Sequence, residues 1–150
     1  MRYIRKLISI VVLFPLFLLS AGQIASADEA LSPGKKHVVI QVSTNDAQTQ
    51  TIALNNAVNL QKLFGLDNID IEIVAYGPGL GFLTQSSKQA DRIKSLAMQD
   101  IRFSACGNTM EKIAKKTGKE PKLIEGVQVV TAGVSRIMEL QEQGYAYIRP

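Results

Sequence analysis

The fold is decided by a stretch that reads Ile101-Arg102-Phe103-Ser104-Ala105-Cys106-Gly107-Asn108-Thr109-Met110. Its first half is a mostly apolar run typical of a strand, and its second half opens a helical pattern. A strand that ends in a cysteine and turns into a helix places the thiol at the edge of a sheet, beside a helix N-terminus. Because Cys106 is the single cysteine of the chain, it has no disulfide partner within one molecule.

The helix that follows Cys106 suggests a reactive thiol. Asn108 and Glu111 have the spacing of a capping box, which predicts the N-cap at Asn108 and the cysteine two residues before it. The positive end of the helix dipole favours the thiolate there, so we expect the thiol pKa to lie below its usual value of about 8.5. Glu111 would oppose this if its carboxylate reached the same turn. An intermolecular disulfide and an inert buried sulfur remain open alternatives.

The rest of the chain alternates between strand and helix patterns. Strands are predicted over residues 37–43, 69–76, 101–105, 127–131 and 145–148. The helices between them include one capped by Asn45 with Gln48 and ended by Gly65, and one over Ser87–Gln99. Because the strands are connected through helices, parallel pairing is favoured. We predict an α/β domain, a three-layer α/β/α arrangement with a mainly parallel five-stranded sheet.

In such a sheet the ligand site lies at the carboxyl ends of the strands. Four segments then share that edge: Ser43–Asp46, Tyr76–Gly81, Cys106–Asn108 and Thr131–Gly133. The loop Gly77-Pro78-Gly79-Leu80-Gly81 does not have the spacing of the dinucleotide fingerprint and is interpreted as a tight turn. Its backbone N–H groups are nevertheless suited to an anion or to the sulfur of Cys106.

The N-terminus has the pattern of a secretory signal peptide. A basic start with Arg2, Arg5 and Lys6 precedes an apolar run over 7–19, and the small residues end in Ala25-Ser26-Ala27. The run is short for a membrane span, which needs about 20 residues, although a retained anchor is the alternative. We therefore predict a signal peptide over 1–27, a flexible lead-in over 28–36 and one domain over 37–150. The protein is expected to be exported, periplasmic in a Gram-negative bacterium, and without a membrane segment after cleavage.

Charge and composition exclude several classes of function. Three of the 17 basic residues precede Asp28 and all 13 acidic residues follow Ala27, so cleavage lowers the net charge from +4 to +1. The basic pI is therefore no indication of nucleic-acid binding. His37 is the single histidine, and neither a metal site nor a cofactor motif is predicted. Without a histidine beside Cys106, acyl transfer of the protease kind is disfavoured. Arg136 is interpreted as a surface ion-pairing residue.

Together these motifs resemble the DsrE/DsrF-like proteins, in their exported single-domain form. The resemblance rests on His37–Ser43 with Asp46, on Tyr76–Gly79, on Phe103–Met110, and on the C-terminal segments Gly133-Val134 and Gly144–Ile148. It implies a small α/β domain with a five-stranded parallel sheet that forms a homo-oligomer. Some cytoplasmic members carry sulfur as a cysteine persulfide, so the resemblance implies that Cys106 is the sulfur-carrying residue.

The leading hypothesis is a sulfur carrier or sulfurtransferase-like protein in which Cys106 takes sulfur from a sulfane-sulfur donor and passes it to an acceptor. The site predicted around this cysteine comprises Gly107, Asn108, Thr109, Asp46, Tyr76, Gly77 and Gly79. The alternative is a non-enzymatic ligand-binding or scaffold protein in which Cys106 is structural. A disulfide between the Cys106 residues of two subunits is a third hypothesis. A short, tyrosine-containing last strand at a sheet edge favours oligomerisation under all three.

Overall fold

A computed structural model describes residues 34–150, so the predicted signal peptide and most of the lead-in lie outside the described residues. The strands are β1 Lys36–Val42, β2 Ile69–Ala75, β3 Ile101–Cys106, β4 Val127–Val130 and β5 Ala146–Ile148. The helices are α1 Ala47–Phe64, α2 Ala90–Ala97, α3 Gly107–Thr117 and α4 Gly133–Glu142, with 3-10 segments over Leu66–Asn68 and Gly77–Leu83. Within this range, each helix is too short or too polar to cross a membrane.

The five strands form one sheet in the order β4-β3-β2-β1-β5, and every neighbouring pair is parallel. At the carboxyl edge, Val42 pairs with Ala75, Ala75 with Ala105, and Cys106 with Val130. The predicted parallel α/β sheet is therefore confirmed, with β5 at one edge. The four segments expected to share the carboxyl edge do follow β1, β2, β3 and β4.

The strand order explains why the two faces of the sheet are covered unequally. From β1 to β4 the chain steps in one direction, so right-handed crossovers place α1, α2 and α3 on the same face. The connection from β4 to β5 returns across the sheet and places α4 on the other face. The larger apolar core accordingly contains Leu54, Ile93 and Met110 from the first three helices. A smaller cluster joins Ile137 and Leu140 of α4 to Val39 and Val74.

Two helix starts differ from the sequence prediction. The N-cap of α1 is Asp46 rather than Asn45, because a carboxylate oxygen of Asp46 accepts the N–H of Thr49 at 2.7 Å. The second helix begins at Ala90 rather than at Ser87, since the N–H of Ala90 is bound to the carbonyl oxygen of Ser87 in a preceding turn. The loop Gly77–Gly81, expected to be a tight turn, lies instead within a 3-10 segment over Gly77–Leu83.

Candidate functional site

Cys106 is both the last residue of β3 and the N-cap of α3. The prediction of an N-cap at Asn108 is wrong, because the helix starts directly at Gly107. A side chain at Gly107 would place its Cβ 3.2 Å from the carbonyl oxygen of Val130, so glycine allows the helix to begin this close to β4. The Asn108 N–H donates to the carbonyl oxygen of Thr131 at 3.1 Å. The sulfur is therefore nearer to the first-turn N–H groups than the capping box implied.

The segment after β2 contacts the first turn of α3 at Thr109. The Thr109 hydroxyl oxygen accepts the N–H of Gly77 at 3.0 Å, which leaves the hydroxyl proton free to be donated to the Cys106 sulfur. Gly77 has a φ of +55°, a left-handed conformation that favours glycine. The backbone after β2 and the first turn of α3 thus hold Thr109 between them. Gly77 and Thr109, both predicted to belong to the site, are therefore in contact at the turn that begins at Cys106.

A second helix N-terminus meets the cysteine from β4. The chain leaves β3 for α3 on one face of the sheet and leaves β4 for α4 on the other, and such a switch opens a crevice at the carboxyl edge. Gly133, the first residue of α4, lies in that crevice. A Cβ at Gly133 would lie 3.0 Å from the Cβ of Tyr76 and 3.3 Å from the Cβ of Cys106. Glycine therefore allows the N-terminus of α4 to lie this close to Cys106.

These contacts determine the acidity of the thiol. Burial has the largest single influence and raises the pKa of Cys106, which is 5% exposed. The polar groups around the sulfur outweigh burial and hold the pKa of Cys106 below its usual value; they are the Thr109 hydroxyl and the N–H groups of Gly133, Thr109 and Asn108. All of these donors are neutral. The site can therefore stabilise a thiolate, or another anion at the same place, by dipoles alone.

The remaining predicted site residues have structural roles or lie at the rim. Gly79 approaches the end of β1 so closely that a Cβ would lie 2.2 Å from the carbonyl oxygen of Val42, and its N–H donates to the carbonyl oxygen of Tyr76. Asp46 is exposed, and its carboxylate caps α1. The side chain of Asn108 is also exposed, so this residue contributes to the site through its backbone. Among residues 34–150, no three His, Cys, Asp or Glu side chains are grouped closely enough to share a metal ion.

Sequence reasoning missed a buried carboxylate on the same face of the sheet. Glu72 on β2 is 0% exposed. Arg136 of α4 donates to both of its oxygens at 2.9 and 2.8 Å, and Arg102 and Ser104 of β3 donate at 3.1 and 2.6 Å. Arg136 does form ion pairs, as predicted, but its main partner Glu72 is buried rather than at the surface. Burial raises the pKa of Glu72, but the bonds from Arg136 and Ser104 outweigh it and lower the pKa below its usual value.

One signal in the sequence could have revealed this network. Asp70 and Glu72 alternate with isoleucines in a strand predicted to lie inside the sheet, and buried charges are almost always paired. Arg102 binds both residues. Its terminal nitrogens donate to Asp70 at 2.7 and 3.1 Å, and its Nε donates to Glu72 at 3.1 Å. Gly133 is the other residue that was missed, since it fell within a predicted edge segment but was not assigned to the site.

Comparison with known proteins agrees with this architecture. The model of the DsrE/DsrF-like family matches residues 36–150. A solved structure of a protein of unknown function, MTH1491 from Methanobacterium thermoautotrophicum, is 33% identical with a TM-score of 0.70, over 77% of this chain and 100% of that one. The ychN protein from E. coli shares the fold, with 14% identity and a TM-score of 0.62 over 77% of this chain and 99% of its own.

None of the curated proteins matches the chain. The family match covers every strand and helix described above, and it includes Cys106 with both helix N-termini that meet it. On this evidence the chain belongs to the DsrE/DsrF-like family.

Proposed function

We propose that the protein is a sulfur carrier or sulfurtransferase-like protein that holds sulfur on Cys106 as a persulfide. The observation that supports this most strongly is the position of Cys106, which is the N-cap of α3 and lies against Gly133, the first residue of α4. A thiolate is the nucleophile required to attack sulfane sulfur. The persulfide that forms is again an anion, so the same N–H and O–H groups are suited to both states.

With thiosulfate as the donor, the reaction balances without an added oxidant. The Cys106 thiolate attacks the outer sulfur, the bond from cysteine to that sulfur forms, and sulfite leaves with the electrons of the broken S–S bond. The persulfide terminus then lies about 2 Å beyond the cysteine sulfur. Since the thiol is only 5% exposed, this extension brings the transferable sulfur nearer to an acceptor than the thiol itself.

Mass spectrometry of the protein after incubation with thiosulfate tests the proposal. We expect a mass increase of about 32 Da, or a multiple of it, on the peptide that contains Cys106, reversed by dithiothreitol. The Cys106→Ser variant should remain unmodified. Polysulfide should be tried as a second donor, because a thiol that accepts sulfur from neither donor contradicts the proposed activity.

The near-complete burial of Cys106 supports one alternative, a binding or scaffold protein with a structural thiol. Free cysteine is among the residues most often buried for packing alone. Under this alternative the thiol resists iodoacetamide until the protein unfolds, and Cys106→Ser changes stability more than any activity. Under the sulfur-carrier proposal the folded protein reacts. Non-reducing electrophoresis distinguishes both from a disulfide between two subunits.

We also propose that the protein acts outside the cytoplasm as a homo-oligomer. Export is supported by the signal-peptide pattern of residues 1–27. Oligomerisation is supported by the exposed Val134 and Met138, which lie one helical turn apart on α4, and by Tyr147 on the edge strand β5. The mass of the secreted chain tests cleavage after Ala27, and light scattering of that chain tests its subunit number.

A further inference from the structure

A cavity of about 700 Å³ lies at the amino edge of the sheet, opposite to Cys106. It arises because β4 begins at Val127, which pairs with Phe103, so Ile101 and Arg102 of β3 extend past the end of β4. The C-terminal end of α2 and the 3-10 segment Leu66–Asn68 form its other walls. This volume is in the range of small-molecule sites. The cavity is separate from the sulfur chemistry proposed above.

Apolar side chains border the cavity and are open to solvent. Met98, just after α2, is 74% exposed, and Leu66 is 49% exposed. Both line the cavity, together with the buried Ile69 and Ile101. Methionine adapts its shape easily and is common where a surface contacts ligands of varied form. The walls therefore offer contact area to the apolar part of a ligand.

Within the described part of the chain, the charged pairs of the lining leave two exposed carboxylates, Asp67 and Asp100, without a basic partner. Lys94 is paired with Glu125 at 2.6 Å and Arg102 with Asp70 at 2.7 Å, so these four charges offset one another. Asp67 and Asp100 also line the cavity. Within residues 34–150, neither of them has a basic side chain at ion-pair distance.

The dipole of α2 adds negative potential to that of these two carboxylates. Since helices run opposite to the strands of a parallel sheet, the C-terminal end of α2 faces this edge and contributes partial negative charge. Lys35 is the remaining cation of the lining, and it lies close enough to Asp70 to lower the pKa of that carboxyl. Its charge is therefore offset in part by Asp70.

We propose that this cavity binds a small organic amine, with its ammonium group beside Asp67 and Asp100 and its apolar body against Leu66 and Met98. Either a free amine or the side chain of a lysine in a peptide carries this chemistry. An anion would be repelled by these two carboxylates and is disfavoured. The two edges of the sheet then have opposite preferences, because helix N-termini surround Cys106 and a helix C-terminus borders the cavity.

Titration of the protein with phenethylamine, followed by amide NMR shifts, tests the proposal. We expect saturable shifts confined to residues 66–70, 97–103 and 125–128, with a dissociation constant on the order of 1 mM or lower. Phenylacetate and 2-phenylethanol have the same ring without the positive charge, and each should bind at least about fivefold more weakly. N-acetyl-lysine amide, titrated in parallel, shows whether a peptide lysine or a free amine is preferred.

The double variant Asp67→Asn, Asp100→Asn should weaken phenethylamine binding at least about fivefold. Asparagine keeps the shape of aspartate and tolerates the left-handed φ of 63° at position 100. The control is Asp91→Asn, which removes a carboxylate at the opposite end of α2 and should leave binding unchanged. The proposal is overturned if no saturable shifts occur, if the alcohol or phenylacetate binds as tightly as the amine, or if the double variant binds it like the wild type.

Discussion

Glu72 and Cys106 are two acidic groups buried on the same face of the sheet, and their surroundings differ. Glu72 is surrounded by charged partners, with Arg136 bound to both oxygens and Arg102 to one. Cys106 is surrounded by neutral N–H and O–H groups, which lower its pKa. Alternate residues of a strand share a face. Ser104 and Cys106 of β3 therefore point to the same side of the sheet, where Ser104 binds Glu72.

This is the difference expected between a structural carboxylate and the reactive thiol that we propose. Two guanidinium groups and a hydroxyl occupy the oxygens of Glu72, so the carboxylate is fixed and unavailable to a substrate. Neutral dipoles stabilise a thiolate without a counter-ion that would occupy its approach path. Removing a partner should therefore cost stability at Glu72 and reactivity at Cys106.

The largest effect is expected from Arg136→Met, which leaves Glu72 buried with Arg102 as its single cation. Loss of one partner from a buried ion pair costs about 3–5 kcal/mol, and we expect the lower end because Arg102 remains. Urea unfolding measures the change in the free energy of unfolding. Lys115→Met, which removes an exposed pair with Glu111, is the control and should have no measurable effect. Equal stability of both variants would show that the Glu72 network is not structural.

A somewhat smaller loss of stability is expected from Gly79→Ala. The new Cβ would lie 2.2 Å from the carbonyl oxygen of Val42, so the 3-10 segment must move away from β1. Forced overpacking of this kind costs about 1–3 kcal/mol. Gly81→Ala in the same segment meets no atom within 4 Å and is the matched control for thermal unfolding. If both variants melt at the same temperature, the close approach at Gly79 is not required.

Thr109→Val should slow the reaction of Cys106 and lower the free energy of unfolding by about 1 kcal/mol. The substitution keeps the shape of the side chain but removes the hydroxyl beside Cys106, which leaves the N–H of Gly77 without its acceptor. Loss of a hydrogen bond worth about 1 kcal/mol corresponds to a roughly fivefold lower rate of alkylation at pH 7. Thr117→Val, at the other end of α3, is the control. A rate equal to that of the wild type would remove Thr109 from the proposed site.

Cys106 and Glu72 illustrate what the sequence could and could not predict. The position of Cys106 was predictable because β-branched runs, glycine stops and a strand-to-helix change are local patterns. The partners of Glu72 were not, since Arg136 lies 64 residues away and reaches it only after the return crossover places α4 on that face. The predicted N-cap at Asn108 was wrong although its spacing fits a capping box. Gly107 allows the helix to start closer to β4, with Cys106 as the N-cap.

The smallest predicted effect is a pair of pH windows in stability. The folded pKa values of Asp70 and Glu72 are lowered, so their stabilisation is present above the unfolded values near 4 and is lost as the pH falls through the folded values. The folded pKa of Cys106 is also lowered. Its stabilisation is present above about pH 8.5 and is lost as the pH falls through its folded pKa.

The alkaline window can be isolated with Cys106→Ser, since serine does not titrate in that range. Under reducing conditions, the free energy of unfolding of the wild type should increase relative to that of the variant as the pH rises from the folded pKa to about 8.5. Above that pH the difference should be constant. A difference that does not change between pH 6 and 10 is evidence against a stabilised thiolate.

The pH dependence of iodoacetamide alkylation of Cys106 in the folded protein measures the acidity of this thiol. Limited exposure lowers the rate at every pH but leaves the midpoint of the titration unchanged, so the midpoint reports the thiol pKa. We predict a midpoint clearly below the usual value of about 8.5. A midpoint at or above that value, or reaction only after unfolding, would contradict the conclusion that neutral donors from two helices stabilise a Cys106 thiolate.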